Sequence, residues 1–266
     1  MMSSAIRSWK FAPLGTAPTA DVQRRKLQGI VFDVDGTLCQ PQNYMFAEMR
    51  NALGITKATD ILDHVYSLPT PEDQYHAMEK IRDIERTAMA SQVAQPGLVQ
   101  LMTYLDSRNI RKGICTRNFD APVNNLLTKF LAGSAFEPIV TREFRPPKPD
   151  PAGILHIARS WGLVRRSGDD EAGVPLSEVD EVSRQEQHQE DSDGLVPTSD
   201  GEAVADASSL IMVGDSIDDI TAGRRAGAKT ALLVNDVNRH LAEHENTDLV
   251  ISRLDELIEV LEKGLL

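Results

Sequence analysis

Two carboxylates stand two residues apart in the run Asp33-Val34-Asp35-Gly36-Thr37-Leu38. If this run ends a strand and the chain turns at once, both can reach a single site, and Gly36 permits the turn. One carboxylate can then attack a phosphorus atom as an oxyanion, while the other, shielded and hydrogen-bonded, delivers and removes a proton. A strand that merely ends in a polar turn has the same sequence, so Asp-x-Asp alone leaves both readings open.

Three further runs bear on the choice. Ile114-Cys115-Thr116-Arg117-Asn118 closes an apolar stretch with a hydroxyl and backbone donors, making Thr116 and Arg117 candidates for binding a phosphoryl oxygen. An isolated Thr there would equally cap a helix. Phe144-Arg145-Pro146-Pro147-Lys148-Pro149-Asp150-Pro151 presents Lys148 in a loop stiffened by prolines. Such a loop holds a cation at low entropic cost where negative charge must be neutralised, although a mobile surface lysine is the plain alternative. In Val213-Gly214-Asp215-Ser216-Ile217-Asp218-Asp219, capping explains Ser216 or one Asp, but three carboxylates within five residues repel unless a cation or solvent separates them. A hard divalent ion answers that need, and magnesium, which prefers oxygen ligands and bridges carboxylates to phosphate, is the expected cofactor.

The elements that must position these residues follow from periodicity. Gly29–Asp33 is a short apolar run ending in acidic residues, and similar runs recur at Ile110–Thr116, Pro138–Thr141, Ser209–Asp215, Thr230–Val234 and Asp248–Ile251. Helical spacing fills the gaps at Pro96–Arg108, Ala121–Leu131 and Pro151–Trp161. Alternating strands and helices predict an α/β fold: a parallel sheet with helices on both faces and ligands at the carboxyl ends of the strands. The stretch Gln40–Gln95 breaks the alternation, with helical patterns at Tyr44–Leu53, Thr59–Leu68 and Pro71–Gln92, and reads as an inserted all-helical module. Its methionines, Met45, Met49, Met78 and Met89, are expected to pack rather than to ligate.

Composition narrows the function. Lys plus Arg total 28 against 40 Asp plus Glu in 266 residues, a net charge of -12, which argues against a nucleic-acid partner bound through a broad basic face. No apolar run approaches the roughly 20 residues of a membrane span, so no membrane partner is expected. Cys39 and Cys115 are too few for a disulfide framework or a zinc cage, which points to a reducing compartment. Much of the acidity lies between Arg165 and Ala207, a segment low in apolar residues that reads as a disordered insertion. A solvated spacer and an arm for a protein partner are the two readings of it. Residues 1–26 read as a flexible extension. Because Met1–Ala20 has no acidic residue, a mitochondrial presequence stands as the alternative to a cytoplasmic location.

Taken together and in order, Asp33-x-Asp35-Gly36-Thr37, Thr116, Lys148 and Gly214-Asp215-Ser216-x-x-Asp219 resemble the four motifs of the haloacid dehalogenase superfamily, phosphoglycolate phosphatase-like members included. The resemblance implies a Rossmann-like core over 27–39 and 96–266, interrupted by the insertion at 165–207, with residues 40–95 as a helical cap. It implies that Asp33 attacks phosphorus and Asp35 serves as acid and base, with Thr116, Arg117 and Lys148 around the phosphoryl group. Asp33, Asp35, Asp215 and Asp219 (or Asp218) would then hold magnesium. The expected reaction is hydrolysis of a small phosphorylated metabolite through an aspartyl-phosphate. A phosphomutase or phosphotransferase of the same superfamily is the alternative within it, and a catalytically idle binding protein using its acidic insert the alternative outside catalysis. His64, His76, Arg82 and Arg86 are the cap residues that could meet the leaving group, if they are not simply surface residues.

Overall fold

The computed structural model describes residues 11, 14, 26–42, 44–165 and 203–264. Strand β1 (Gly29–Phe32) is buried along its whole length, as a short apolar run flanked on both edges and covered on both faces must be. It pairs in parallel with β2 (Arg111–Cys115) on one edge and with β6 (Leu210–Gly214) on the other, Gly29 standing opposite both Arg111 and Leu210. Outside β2 lies the two-residue β3 (Ile139–Val140); outside β6 lie β7 (Lys229–Leu233) and β8 (Leu249–Ile251). The order β3-β2-β1-β6-β7-β8 is all parallel and makes a Rossmann-like sheet. The chain leaves β1 to one side and later returns on the other, so a crevice opens at the carboxyl ends of β1, β2 and β6.

Side-chain alternation along β1 assigns the two layers. Ile30 and Phe32 pack with α4 (Leu98–Ser107), α5 (Asp120–Phe130) and α8 (Glu256–Lys263) through Leu101, Leu105, Leu126 and Leu257. Val31 faces the opposite layer, where Ile154 and Ile157 of α6 (Ala152–Ser160) and Ala222 of α7 (Ile217–Ala226) cover it. A fully buried side chain such as Phe32 contributes about 1.5–3 kcal/mol.

Between β1 and β2 the chain forms α1 (Tyr44–Leu53), α2 (Ile61–Tyr66) and α3 (Pro71–Ala90). Helix α2 is shorter than its apolar pattern because Asp60 caps it, accepting from Leu62 N and Asp63 N. Thr70 caps α3 with Pro71 at the first helical position. Met45 and Met49 are buried with Ile61, Val65 and Ile81, and Phe119 from the strand-bearing part of the chain joins the same cluster.

Two expectations about chain organisation are altered. Val164–Arg165 (β4) and Val204–Ala205 (β5) pair antiparallel, so the ends of the 165–207 insertion are ordered by backbone hydrogen bonds and its interior is shorter than the composition implied. The reading of 166–202 as disordered lies outside the described residues, as does most of the 1–26 extension. Within that extension, however, Phe11 is buried against the first layer, and Leu14 N donates to Leu261 O at 3.0 Å, so apolar side chains dock part of it. Among the described residues no helix is long and apolar enough to cross a membrane.

Candidate active site

The turn after β1 places the two acids. Asp33 N donates to Val213 O at 3.0 Å, which keeps Asp33 in register with β6, and the chain then folds back so that the amides of Thr37, Leu38 and Cys39 all reach Val34 O. Gly36 makes the bend at φ 81°, and a Cβ there would lie 2.1 Å from an Asp215 carboxylate oxygen. Only glycine allows the first and last acidic runs to approach this closely.

Lys148, 3% exposed, donates to Asp33 at 2.7 Å and to Asp219 at 2.5 Å. Burial works to lower its pKa, but the Asp219 and Asp33 carboxylates outweigh burial and hold it charged. Burial lifts Asp33 to about 7, against the pull of Lys148 and with help from Asp219. It lifts Asp215 to about 8, again helped by Asp219 and Asp33. Asp35 is raised by burial too, partly offset by hydrogen bonds from Asn118 and from Cys39 Sγ at 3.5 Å.

Around these acids the remaining groups are fixed by caps. Ser216 and Asp219 form a reciprocal capping box at the start of α7, so one Asp219 oxygen serves Ser216 and the other Lys148. Asp215 accepts from Asn235 Nδ2 at 3.2 Å, and its main-chain carbonyl from Asn238 Nδ2 at 2.6 Å. Thr116 is buried at the end of β2, its amide bonded to Val140 O and its hydroxyl accepting from Asn118 N at 3.2 Å.

One carboxylate oxygen each from Asp33, Asp215 and Asp219 lie within 4.8 Å of one another, with one ammonium against them. An all-oxygen donor set carrying more negative charge than its single lysine balances suits a hard divalent cation such as magnesium.

A cavity of about 360 Å³ joins these residues to the helices above; Asp33, Asp35, Thr116, Lys148, Asp215 and Asp219 line its floor, and Met45, Met49, Arg50, Asp60, Ile61 and Glu85 its roof. Arg117 also lines it, but its guanidinium is held by Asp60 at 2.7 Å and Asp218 at 2.8 Å, tying α2 to the start of α7. Asp218 accordingly serves that pair. His64, His76, Arg82 and Arg86 are absent from the lining; His76 meets Glu72, and Arg82 and Arg86 pair with Glu79 and Asp83 along α3. Of the helical residues that do reach the cavity, Met45 and Met49 were expected from the sequence only as packing residues, and Arg50, Asp60, Ile61 and Glu85 were not singled out. Arg142 was missed as well, although it lies only two residues beyond the β3 pair. It donates to Arg117 O and to Glu85 at 2.6 Å each and lies 4.0 Å from the Phe119 ring centre.

A doubly wound α/β sheet with an acidic, lysine-bridged pocket at its switch point defines a class of hydrolase scaffold, and the comparisons identify which. A family model described as haloacid dehalogenase-like hydrolase matches residues 30–167, and a second, HAD-hydrolase-like model matches 193–257. An uncharacterized hydrolase of Saccharomyces cerevisiae is 39% identical over 243 residues, 90% of this chain and 92% of the yeast protein. A haloacid dehalogenase-like hydrolase domain-containing protein of Arabidopsis thaliana is 31% identical over 79% of this chain and 72% of its own. The crystal structure of a family IA haloacid dehalogenase hydrolase from Entamoeba histolytica superposes with a TM-score of 0.62 at 17% identity, over 88% of this chain and 97% of that one. The chain belongs to the haloacid dehalogenase-like hydrolases.

Proposed function

We propose that the protein is a magnesium-dependent phosphatase acting on a small phosphorylated metabolite through an aspartyl-phosphate. The observation that carries this reading is Lys148 bridging Asp33 and Asp219 in the lining of the cavity, with Asp35 two residues beyond Asp33. A nucleophilic carboxylate, a cation to offset a phosphate dianion, and a second acid shielded enough to hold a proton are what monoester hydrolysis requires.

In the first step an Asp33 oxygen forms a bond to phosphorus as the bond to the leaving alcohol breaks, and Asp35 gives its proton to that alcohol. Water then attacks the phosphorus, Asp35 takes back a proton, and the bond to Asp33 breaks to release phosphate. Thr116 and Lys148 hold phosphoryl oxygens meanwhile. Asp33, Asp215 and the Asp35 main-chain carbonyl are the groups that would hold magnesium, with Asp219 orienting Lys148 from behind. Bound there, the ion supplies neutralisation of the phosphoryl oxygens. Arg117, already committed to two carboxylates, acts in this reading by closing the roof rather than by holding phosphate.

The test is turnover of p-nitrophenyl phosphate by the parent and by Asp33→Asn. Parent activity should disappear in chelator and return with magnesium, and the amide variant should lose about a thousandfold or more, roughly 4 kcal/mol. A well-folded Asp33→Asn protein that keeps substantial activity removes the nucleophile from this scheme.

A further inference from the structure

Glu85 comes from α3, and its side chain is only 3% exposed. One carboxylate oxygen accepts from Arg142 at 2.6 Å, while Oε2 is cut off from solvent and has no hydrogen-bond partner among the described residues. Burying a carboxylate oxygen unpaired costs free energy, and folded proteins rarely leave one so unless another molecule completes it. Glu85 also borders two spaces: the main cavity, and an adjoining niche of about 10 Å³ whose walls include Asp35, Gln42, Met45 and Asn118. That volume has room for one water-sized group.

We infer that Glu85 is a specificity-determining residue selecting phosphomonoesters whose alcohol carries a hydroxyl close to the ester, the hydroxyl seating in the niche between Glu85 and Asp35. This rests on the phosphatase reading above and names the class of leaving group. Proximity to Asp35 sets the position: the group protonated by Asp35 is the ester oxygen, so whatever enters the adjoining niche must be attached nearby. The charges around the niche set the chemistry. A carboxylate would meet Glu85 and Asp35; the charge of Glu85 is already balanced by the Arg142 guanidinium, which does not itself line the niche, so no second cation is required there. A neutral hydroxyl, which both donates and accepts, satisfies the free Glu85 oxygen whether or not that carboxyl holds a proton.

The experiment compares kcat/KM for three esters in magnesium: hydroxyethyl phosphate, propyl phosphate, in which a methyl replaces the hydroxyl, and phosphoglycolate, in which a carboxylate replaces the hydroxymethyl group. One hydrogen bond to a charged partner predicts that the parent prefers hydroxyethyl over propyl phosphate by about tenfold to a hundredfold, with phosphoglycolate also disfavoured. In Glu85→Leu, which keeps most of the volume but can neither donate nor accept, the ratio of hydroxyethyl to propyl should collapse toward one. A variant that lowers both esters by the same factor, keeping the ratio, shows that Glu85 only clamps the helices to the sheet and overturns the inference. Should that variant fail to fold, the parent ratios decide: no hydroxyl preference, or a preference for phosphoglycolate, overturns it equally. Absence of p-nitrophenyl phosphate hydrolysis by the parent is a different failure, since it removes the phosphatase reading on which this one stands.

Discussion

Replacing Lys148 by methionine keeps most of the side-chain volume and deletes one buried charge. At the observed separations of 2.7 and 2.5 Å from Asp33 and Asp219, each attraction is worth about 6 kcal/mol at an effective dielectric of roughly 20. Most of that offsets the cost of burying three charged groups, and removing one partner of such a set typically destabilises by about 3–5 kcal/mol. The carboxylates recover part of the loss by binding protons, which burial has already made easier for Asp33, whose pKa stands at about 7. The deficit should therefore be largest at pH 8 and smaller at pH 6, where Lys148→Met leaves fewer unpaired charges. Turnover should fall by a thousandfold or more, since the nucleophile and the incoming dianion would face each other without a cation. Urea melts at the two pH values, paired with initial rates on p-nitrophenyl phosphate, measure both effects. A variant with an unchanged urea midpoint and activity within tenfold of the parent would refute the idea that Lys148 supports the acidic cluster.

Three other outcomes are expected. Asp60→Asn should barely change the melting temperature, because Asn caps a helix as well as Asp and a partly exposed pair with Arg117 is worth about 1 kcal/mol or less; if the pair holds α2 over the cavity, KM should rise with added salt in the parent and less so in the variant, and parallel salt curves would count against that role. Burial alone would lift Asp248, but hydrogen bonds from Lys229 and Thr230 N hold its carboxyl below the ordinary range. Its contribution, about 1.5–3 kcal/mol by analogy with charged hydrogen bonds, is present above the unfolded pKa near 3.8 and lost as pH falls through the lower folded value. The urea midpoints of parent and Asp248→Asn should thus differ clearly at pH 6 and draw together as pH falls below 3.8, and a constant difference would contradict this. Replacing 166–202 by a short Gly/Ser turn should leave small-substrate turnover within a few-fold, since β4 and β5 already hold the ends together and closure entropy changes by only ~0.6 kcal/mol per halving; a hundredfold loss in a folded variant would place that segment in the working site.

The acids and Lys148 were legible because each is announced locally, by an apolar run that stops at a polar residue or by prolines around a lone cation. A strand-end position is a property of a few neighbouring residues. The Glu85–Arg142 pair is not: its members are 57 residues apart, and their meeting depends on how α3 lies over the sheet. Glu85 sits among Asp83, Arg82 and Arg86, a composition that reads as a solvated face, and only the packed helix shows that one acid of the run points inward. Arg117 shows a different limit: it lines the cavity beside Thr116 as expected, but its pairing with Asp60 and Asp218 could not be read, because sequence spacing does not bring those acids near it. Phe11 and the β4–β5 pair were hidden because each is a contact of very few residues, below what periodicity detects.

The place of β1 between β2 and β6 has a consequence during synthesis. Asp33 directly follows β1, and one edge of that strand must wait for Leu210–Gly214 before its backbone finds a partner. At translation rates of about 5–20 residues per second, the delay is roughly ten to forty seconds. Throughout it the apolar Ile30-Val31-Phe32 edge is open to wrong partners, and neither Asp215 nor Asp219 is available to complete the pocket. Nascent chains should therefore be inert and aggregation-prone until β6, at about the start of the last fifth of the sequence, emerges, so the yield should respond to chaperone supply and to pauses upstream of β6 more than to changes in the helical roof.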